Sequence, residues 1–453
     1  MSRSMGKTFA AHYGFPDRFQ NRLVAMSAPR VALSKTLYRL RRLSRLIWVR
    51  SSLIALLGVI AAAGSGVLSP LVPEKIAKAI EPEAVEKLLE ILASGMLAVV
   101  IFSLSVMVSA RQSASSQVTP RSHQLINEDT TTQNVLATFL GAFLFSLVGV
   151  ITLRTQVYAG DAAAITLFFT LIVITLMIVA ILRWISHLAD LGSVVETTRK
   201  VEEAAVSGMQ SWLNNPCMGG SPLNHAPRGT PIAARRTGYV QHVDMSKLDD
   251  LVTPSGGALY LVARPGSFVS VGQPIAHRTA DMDEDAVHDA FTIDDARRFD
   301  QDPRFGLIVL SEIAQRALSP GINDPGTAID VLTRHQRLME SYRDGVDGEE
   351  VEPIHPMIFV PPLKIASLFR DAFDPIARDG AGMVEVQIRL QHVLASLTRD
   401  GADDDLSRAA RATSKRSLER AMLAIELDHD KTRLKNRVDQ LFAKDALYSA
   451  ASA

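Results

Sequence analysis

The groups able to do acid–base chemistry are concentrated in the C-terminal half: His225, His242, His277, His288, His335 and His355, with Asp294, Asp295 and Asp330 as acids that could assist. An imidazole titrates near neutral pH and a neighbouring carboxylate orients it, so such pairs can move protons in catalysis. No pair here has a spacing that demands that role, and a lone histidine is usually a surface or core residue. No catalytic residue is assigned, and an enzyme is the least favoured class of function. The single cysteine, Cys217, excludes an intrachain disulfide and any multi-thiolate metal site. The acids Asp281, Asp283, Glu284 and Asp285 lack the glycine and the spacing of a calcium loop and read as a solvated helix start. Neither a cofactor nor a metal is expected.

Three other groups of residues are candidates for a site. Ser94, Ala98, Ser105, Ser109 and Ser116 fall in one sector of a helix at ~100° per residue. Small residues let helices approach and hydroxyls bond across the contact, or the hydroxyls line a water-filled path; Ser94, Ser105, Ser109 and Ser116 thus form a pore or packing stripe, with both readings open. Next to it, RQSASSQVTPRSHQLINEDTTTQ places Arg111, Arg121 and His123 where a bundle would have its cytoplasmic mouth. There they would favour anions, against Glu128 and Asp129. The third group is the break SPGINDPG, where Ser319, Asn323, Asp324 and Thr327 form a ligand or turn motif that capping alone would explain.

The elements that must position these groups divide by solvent. Four apolar stretches, Leu53 to Val72, Leu88 to Ala110, Val135 to Leu153 and Ala162 to Trp184, each approach the ~20 residues needed to cross a bilayer. Helices suit them, because lipid offers backbone amides no partners. On the third, Ala137, Gly141 and Gly149 share a face that reads as a helix contact. Arg39, Arg41, Arg42, Arg45 and Arg50 precede the first stretch with no acid among them, which makes that end cytoplasmic, with Trp48 as interfacial anchor. Four crossings return the chain to the same side. Between the first two stretches, Glu74 to Glu86 suggest a short amphipathic helix at the outer interface. No charged residue lies mid-span, so proton relays and gating charges are missing. Equal numbers of basic and acidic residues, 48 each, give no field favouring nucleic acid.

The tail before Ser34 has no secretory signal pattern, and Met26 is an alternative start to Met1. The expected organisation is mainly α: a flexible tail (1–40), a four-helix transmembrane bundle (41–190), a helical stalk continuous with the fourth span and a linker (191–230), a small β-rich barrel-like subdomain (231–280) and a helical cytoplasmic subdomain (281–453). In the last, helices are expected at Pro362 to Ala377, Met383 to Leu397 and Asp403 to Phe442, with Asp302-Pro303 and Asp324-Pro325 opening two more.

Two resemblances follow. The run RPGSFVSVGQP resembles the turn and strand pattern of biotinyl and lipoyl barrel domains, but HRTADMDEDAVHDAF replaces the hairpin with its modifiable lysine, so the resemblance implies the shape without a carried cofactor. The four-span front, the ARQSASSQVTPR loop, the GYVQ and RPGSFVSVGQP strands and above all RALSPGINDPGTAIDVL are similar to the domain-of-unknown-function 2254 family of bacterial predicted membrane proteins, from about Leu40 to Leu397. That resemblance implies a fold and an inner-membrane location, multi-pass with both termini cytoplasmic, and carries over no catalytic residues. Two functions are expected: an oligomeric channel-like protein regulated by its cytoplasmic domain, or a membrane-anchored scaffold or sensor binding a cytoplasmic partner or metabolite. The expected partners are the lipid bilayer and further copies of the chain.

Overall fold

The computed structural model describes residues 80–117, 119–122, 130–155, 162–188, 193–346, 352–398 and 404–451, with isolated positions 52, 56 and 60. The expected tail, the basic cluster and nearly all of the first apolar stretch lie outside the described residues. The described chain is mainly helical with two small sheets. It divides into two compact units, Met1–Val106 with Asp129–Ala189, and Met107–Glu128 with Asp190–Ala453.

Three long helices, α1 (Pro82–Gln117), α2 (Thr130–Thr155) and α3 (Ala162–Leu188), supply the first unit, except that α1 from Met107 on belongs to the second. Over Pro82–Ser109, Thr131–Thr155 and Ala163–Leu188 they are long and apolar enough to cross a membrane, by length and composition. Glu83, Glu86 and Glu90, the first two expected in a separate outer helix, instead occupy the first turns of α1. Pro82 explains the start, since a proline at the first helical position loses no hydrogen bond. On α2 the buried residues Thr132, Val135, Phe139, Ala142, Ser146 and Gly149 alternate three and four apart, which aligns them as one seam. A side chain at Gly149 would come within 2.9 Å of Leu89 Cδ1 on α1, so a larger residue there would push the leucine aside. Nearby, Arg154 donates to Glu86 and Glu90 at 2.5 Å each. The end of α2 therefore lies against the start of α1, and the two run antiparallel.

The second unit begins with α4 (Val194–Asn214). The expected continuous helix out of the fourth span does not form: α3 ends at Leu188, and Ser193, with extended backbone, caps a new helix by accepting from Glu196 N at 3.1 Å. Ser-x-x-Glu is the spacing of a capping box, a start signal that outweighs continuity of apolar pattern. Nor is α4 a bare stalk. Its Val201, Ala205 and Met209 are buried in a helical core with Leu310, Leu332, Phe369 and Leu390. That core is built from α7 (Phe305–Ala317), α8 (Pro325–Val346), α9 (Ile365–Ala372), α10 (Asp374–Asp379), α11 (Val384–Ser396) and α12 (Asp405–Ala424), with α13 (Asp428–Ala451) packed beside them. The helices expected at 362–377 and 403–442 are each two.

The strands are β1 (Gly220–Pro222), β2 (Thr230–Ala233), β3 (Gly238–Val243), β4 (Leu259–Leu261), β5 (Phe268–Val269), β6 (Pro274–Arg278), β7 (Phe291–Asp294) and β8 (His355–Val360); α5 (Met245–Ser255) and α6 (Glu284–Ala290) lie between them. They form a five-stranded sheet, β1-β8-β4-β6-β2, and a three-stranded one, β5-β3-β7. Strand structure thus extends beyond 231–280, recruiting β1, β7 and β8. Leu259, Leu261, Ile358 and Val360 face a second core with Leu248 and Val252 of α5. At the expected Pro265-Gly266 turn, Gly266 has φ +86° and donates to Val240 O at 2.8 Å, while a side chain there would strike the Asp302 carboxylate.

Candidate functional site

The serine stripe of α1 faces outward from the single chain. Ser94, Ser105 and Ser109 are exposed, and the first two hydroxyls donate to carbonyls of their own helix, Ile91 at 3.1 Å and Ile101 at 3.0 Å. Ser116 belongs to α1, but its side chain lies outside the description. The same holds for the side chain of Arg111, and all of His123 is outside it. Arg121 lies in a short turn, Pro120–Ser122, and pairs with Glu312 of α7. Beside it Thr119 and Ser122 are buried, with Ser122 Oγ donating to Thr119 O at 2.7 Å. Residues 119–122 are therefore tied to α7 through Arg121, whose charge has a carboxylate partner.

At SPGINDPG the four candidate residues meet, and each has a structural task. Asp324 Oδ1 accepts from Thr327 N at 3.1 Å and Oδ2 from the Thr327 hydroxyl at 2.6 Å, which caps α8 with Pro325 in its first turn. Those hydrogen bonds hold the Asp324 carboxyl below the ordinary carboxylate range. Asn323 has φ 51°, a left-handed conformation that asparagine tolerates better than most residues, and its amide bonds Ser319 O at 2.9 Å. The Ser319 hydroxyl donates to Arg316 O at 2.6 Å, closing the end of α7. We expect Asp324→Ala to lower stability by ~1 kcal/mol, the usual value of a lost cap, and Asp324→Asn to lower it far less. Thermal unfolding of the full chain checks both.

Among the candidate histidines, His335, His355 and His225 have defined contacts. His335 of α8 is fully buried, with Nε2 3.1 Å from Ser311 Oγ. That hydroxyl also lies 2.7 Å from Asp371 O and 2.8 Å from Ala372 O. Its one proton goes to a carbonyl, so Nε2 must carry a proton and donate toward Oγ. A base would need the reverse. Burial drives the imidazole down to about 3, so it stays neutral, and Nδ1 has no partner. His355 pairs with Asp249 at 3.1 Å, and His225 packs its ring on Tyr260 and Phe359. Asp294 pairs with Arg236 and Asp330 with Arg334. Among the described residues no group of three or more histidines, cysteines or acids could hold a metal ion.

Sequence reasoning missed the ionic groups that hold the second unit together. Glu202 of α4 receives Arg334 and, at 2.5 Å, Arg337, both from α8. Asp302 is buried and takes Arg297 at 2.5 Å, and burial pushes its carboxyl up against the pull of that arginine. Arg304 grips Asp371 through two hydrogen bonds, at 2.6 and 3.0 Å. Arg264 lies over Trp212 at 5.8 Å and donates to Pro362 O at 3.1 Å; burial, then the nearby Arg304, push its pKa down. The legible signal was the pair Arg334 and Arg337, three apart on one face of α8 opposite the acid-bearing α4.

Comparison with known proteins agrees with this picture of long apolar helices. The family described as "Predicted membrane protein (DUF2254)" matches residues 44–396. Uncharacterized proteins of Mycobacterium bovis and Mycobacterium tuberculosis are 26% identical to the chain over 320 residues, covering 65% of it and 60% of their own length. The chain thus spans less than two thirds of these relatives. No solved structure matches.

Proposed function

This chain belongs to the DUF2254 family of predicted membrane proteins, and on that premise we propose that it is a multi-pass inner-membrane protein that assembles from several copies into a channel-like pore regulated by its C-terminal unit. In this reading the first apolar stretch joins α1, α2 and α3 as a four-helix bundle, both termini are cytoplasmic, and the β-rich region is a barrel-like module of the regulatory unit. The observation that carries it is the exposure of the α1 stripe: Ser94, Ser105 and Ser109 are exposed, as residues facing a shared axis would be. The Arg121–Glu312 pair supports regulation, since it ties the α1–α2 connection to α7. Planar-bilayer recording of the purified full chain tests the proposal. A conductance altered by Ser105→Leu is expected, and no conductance under any ligand or tension would sink it. Arg121→Glu sets two acids against each other and should change opening, while altering stability by about 1 kcal/mol because Arg121 itself is exposed. Paired current and melting measurements on that variant check the expectation.

The second reading, a membrane-anchored scaffold or sensor, is favoured by one face of the five-stranded sheet. There Tyr260 stacks on Phe359 with centroids 4.8 Å apart, and Met357 is exposed. A pull-down with no reproducible partner, together with no thermal shift from a metabolite panel, would remove its support.

A further inference from the structure

Hydroxyls in the apolar helices of the first unit have a local way to satisfy themselves. Ser94, Ser105, Thr152, Thr170 and Thr175 each donate to a carbonyl three or four residues earlier in their own helix. Two do not. Ser103 of α1 and Ser146 of α2 are fully buried, and neither Oγ has a hydrogen-bond partner. The carbonyls of Val99 and Ala142 stand four residues before them, so the bond forgone is the one their neighbours make. A third polar atom shares this condition: Trp184 Nε1 of α3, with the residue 4% exposed. An indole N–H has no such local bond available, and in hydrocarbon each unmet group is costly.

Helix geometry places these atoms at two levels. Leu89 meets Gly149, and α1 runs antiparallel to α2. At ~1.5 Å per residue Ser103 lies about 21 Å further along, at the level of Val135. On α3, His187 bonds Thr132 at 3.2 Å, so Trp184, one turn away, reaches that same level. Ser146 lies about 16 Å deeper along α2. Between the levels the seam is apolar, with Phe139 and Ala142 fully buried.

We propose that the first unit holds internal water at two levels, one served by Ser103 and Trp184 and the other by Ser146, separated by an apolar collar at Phe139 and Ala142. Water is the ligand these groups fit: uncharged hydroxyl and indole groups, enclosed in the protein and without a partner from it. A collar between two wet pockets is the arrangement in which an apolar constriction blocks a path by excluding water. The inference rests on the reading of α1 to α3 as membrane spans and is independent of ion conduction.

Thiol chemistry in lipid vesicles tests it, on the full chain with Cys217→Ser as background. Ser103→Cys, Ser146→Cys and, from the same seam, Ala142→Cys would be treated with a small cationic methanethiosulfonate. Thiols must ionise to react, which needs water. The two serine positions should therefore label about ten-fold or more faster than position 142. Equal, slow labelling at all three would overturn the proposal. Extraction of the same vesicles with alkaline carbonate keeps the two claims apart: a protein that stays in the membrane but labels uniformly slowly refutes internal water alone, and one that washes out refutes the spans. A second readout needs no cysteine. With Trp48→Phe and Trp212→Phe leaving Trp184 alone, its fluorescence lifetime should lengthen in heavy water; an unchanged lifetime counts against the proposal.

Discussion

Glu202→Ala is expected to destabilise the second unit by about 3 kcal/mol. Removing one partner of a buried ion pair leaves the other charge without compensation, which costs ~3–5 kcal/mol. Arg334 is only 10% exposed on its side chain, as is Glu202 at 11%. The lower end applies because Arg334 keeps Asp330, 2.7 Å away, and Arg337 is partly exposed. Asp330 itself is half exposed, so Asp330→Ala should cost under ~1 kcal/mol. Cys217 gives the readout: it is the single thiol, it is buried in the sheet core, and burial pushes its pKa up, so it reacts when the unit opens. The temperature at which a thiol-reactive dye labels the full chain should fall clearly for Glu202→Ala and barely for Asp330→Ala. Equal shifts would mean that Glu202 does not clamp α4 to α8.

Acid should weaken the same unit through His335. The folded chain keeps this imidazole neutral down to about 3, against an ordinary value of 6.5. An unfolded chain takes up the proton at the ordinary value, so between these limits the unfolded state binds more protons and stability rises with pH. The contribution is complete above 6.5 and disappears progressively as the pH falls toward 3. At ~1.4 kcal/mol per unit it amounts to roughly 5 kcal/mol across the window, of which about 2 kcal/mol is lost between pH 7 and pH 5. His335→Gln can still donate to Ser311 Oγ and does not titrate. Its unfolding free energy, followed by fluorescence, should show a pH dependence flatter by that amount. A slope identical to the parent would place the acid sensitivity elsewhere.

Much of the helical part was legible because its signals are local. Asp324-Pro325 announced α8 by capping, and the alternation in TGYVQHV announced β3. The errors arose where a local signal opposed a longer pattern: Ser193 with Glu196 restarted a helix that apolar spacing would have continued, and Pro82 drew the outer acids into α1. β8 was missed because its partners, β1 and β4, are remote in sequence and the positions alternating with buried Ile358 and Val360 carry Met357 and Phe359, so no polar alternation marks it. The candidate site was legible only as a helix face. Sector geometry groups Ser94 with Ser105 and Ser109, but which hydroxyls are enclosed depends on what packs against them, and these are Ser103 and Ser146. Likewise Arg121 looked like a free cation until folding delivered Glu312 to it.

The position of β8 between β1 and β4 has a consequence for biogenesis. The ribosome completes every other strand of that sheet by Arg278, almost eighty residues before His355, and at ~5–20 residues per second this leaves an interval of several seconds. Throughout it, β1 lacks its neighbour and β4 shows a bare flank, the kind of surface that pairs promiscuously between nascent chains. Translation halted just short of that point should therefore yield a sticky, chaperone-bound product, and release should come with the arrival of six residues, His355 to Val360.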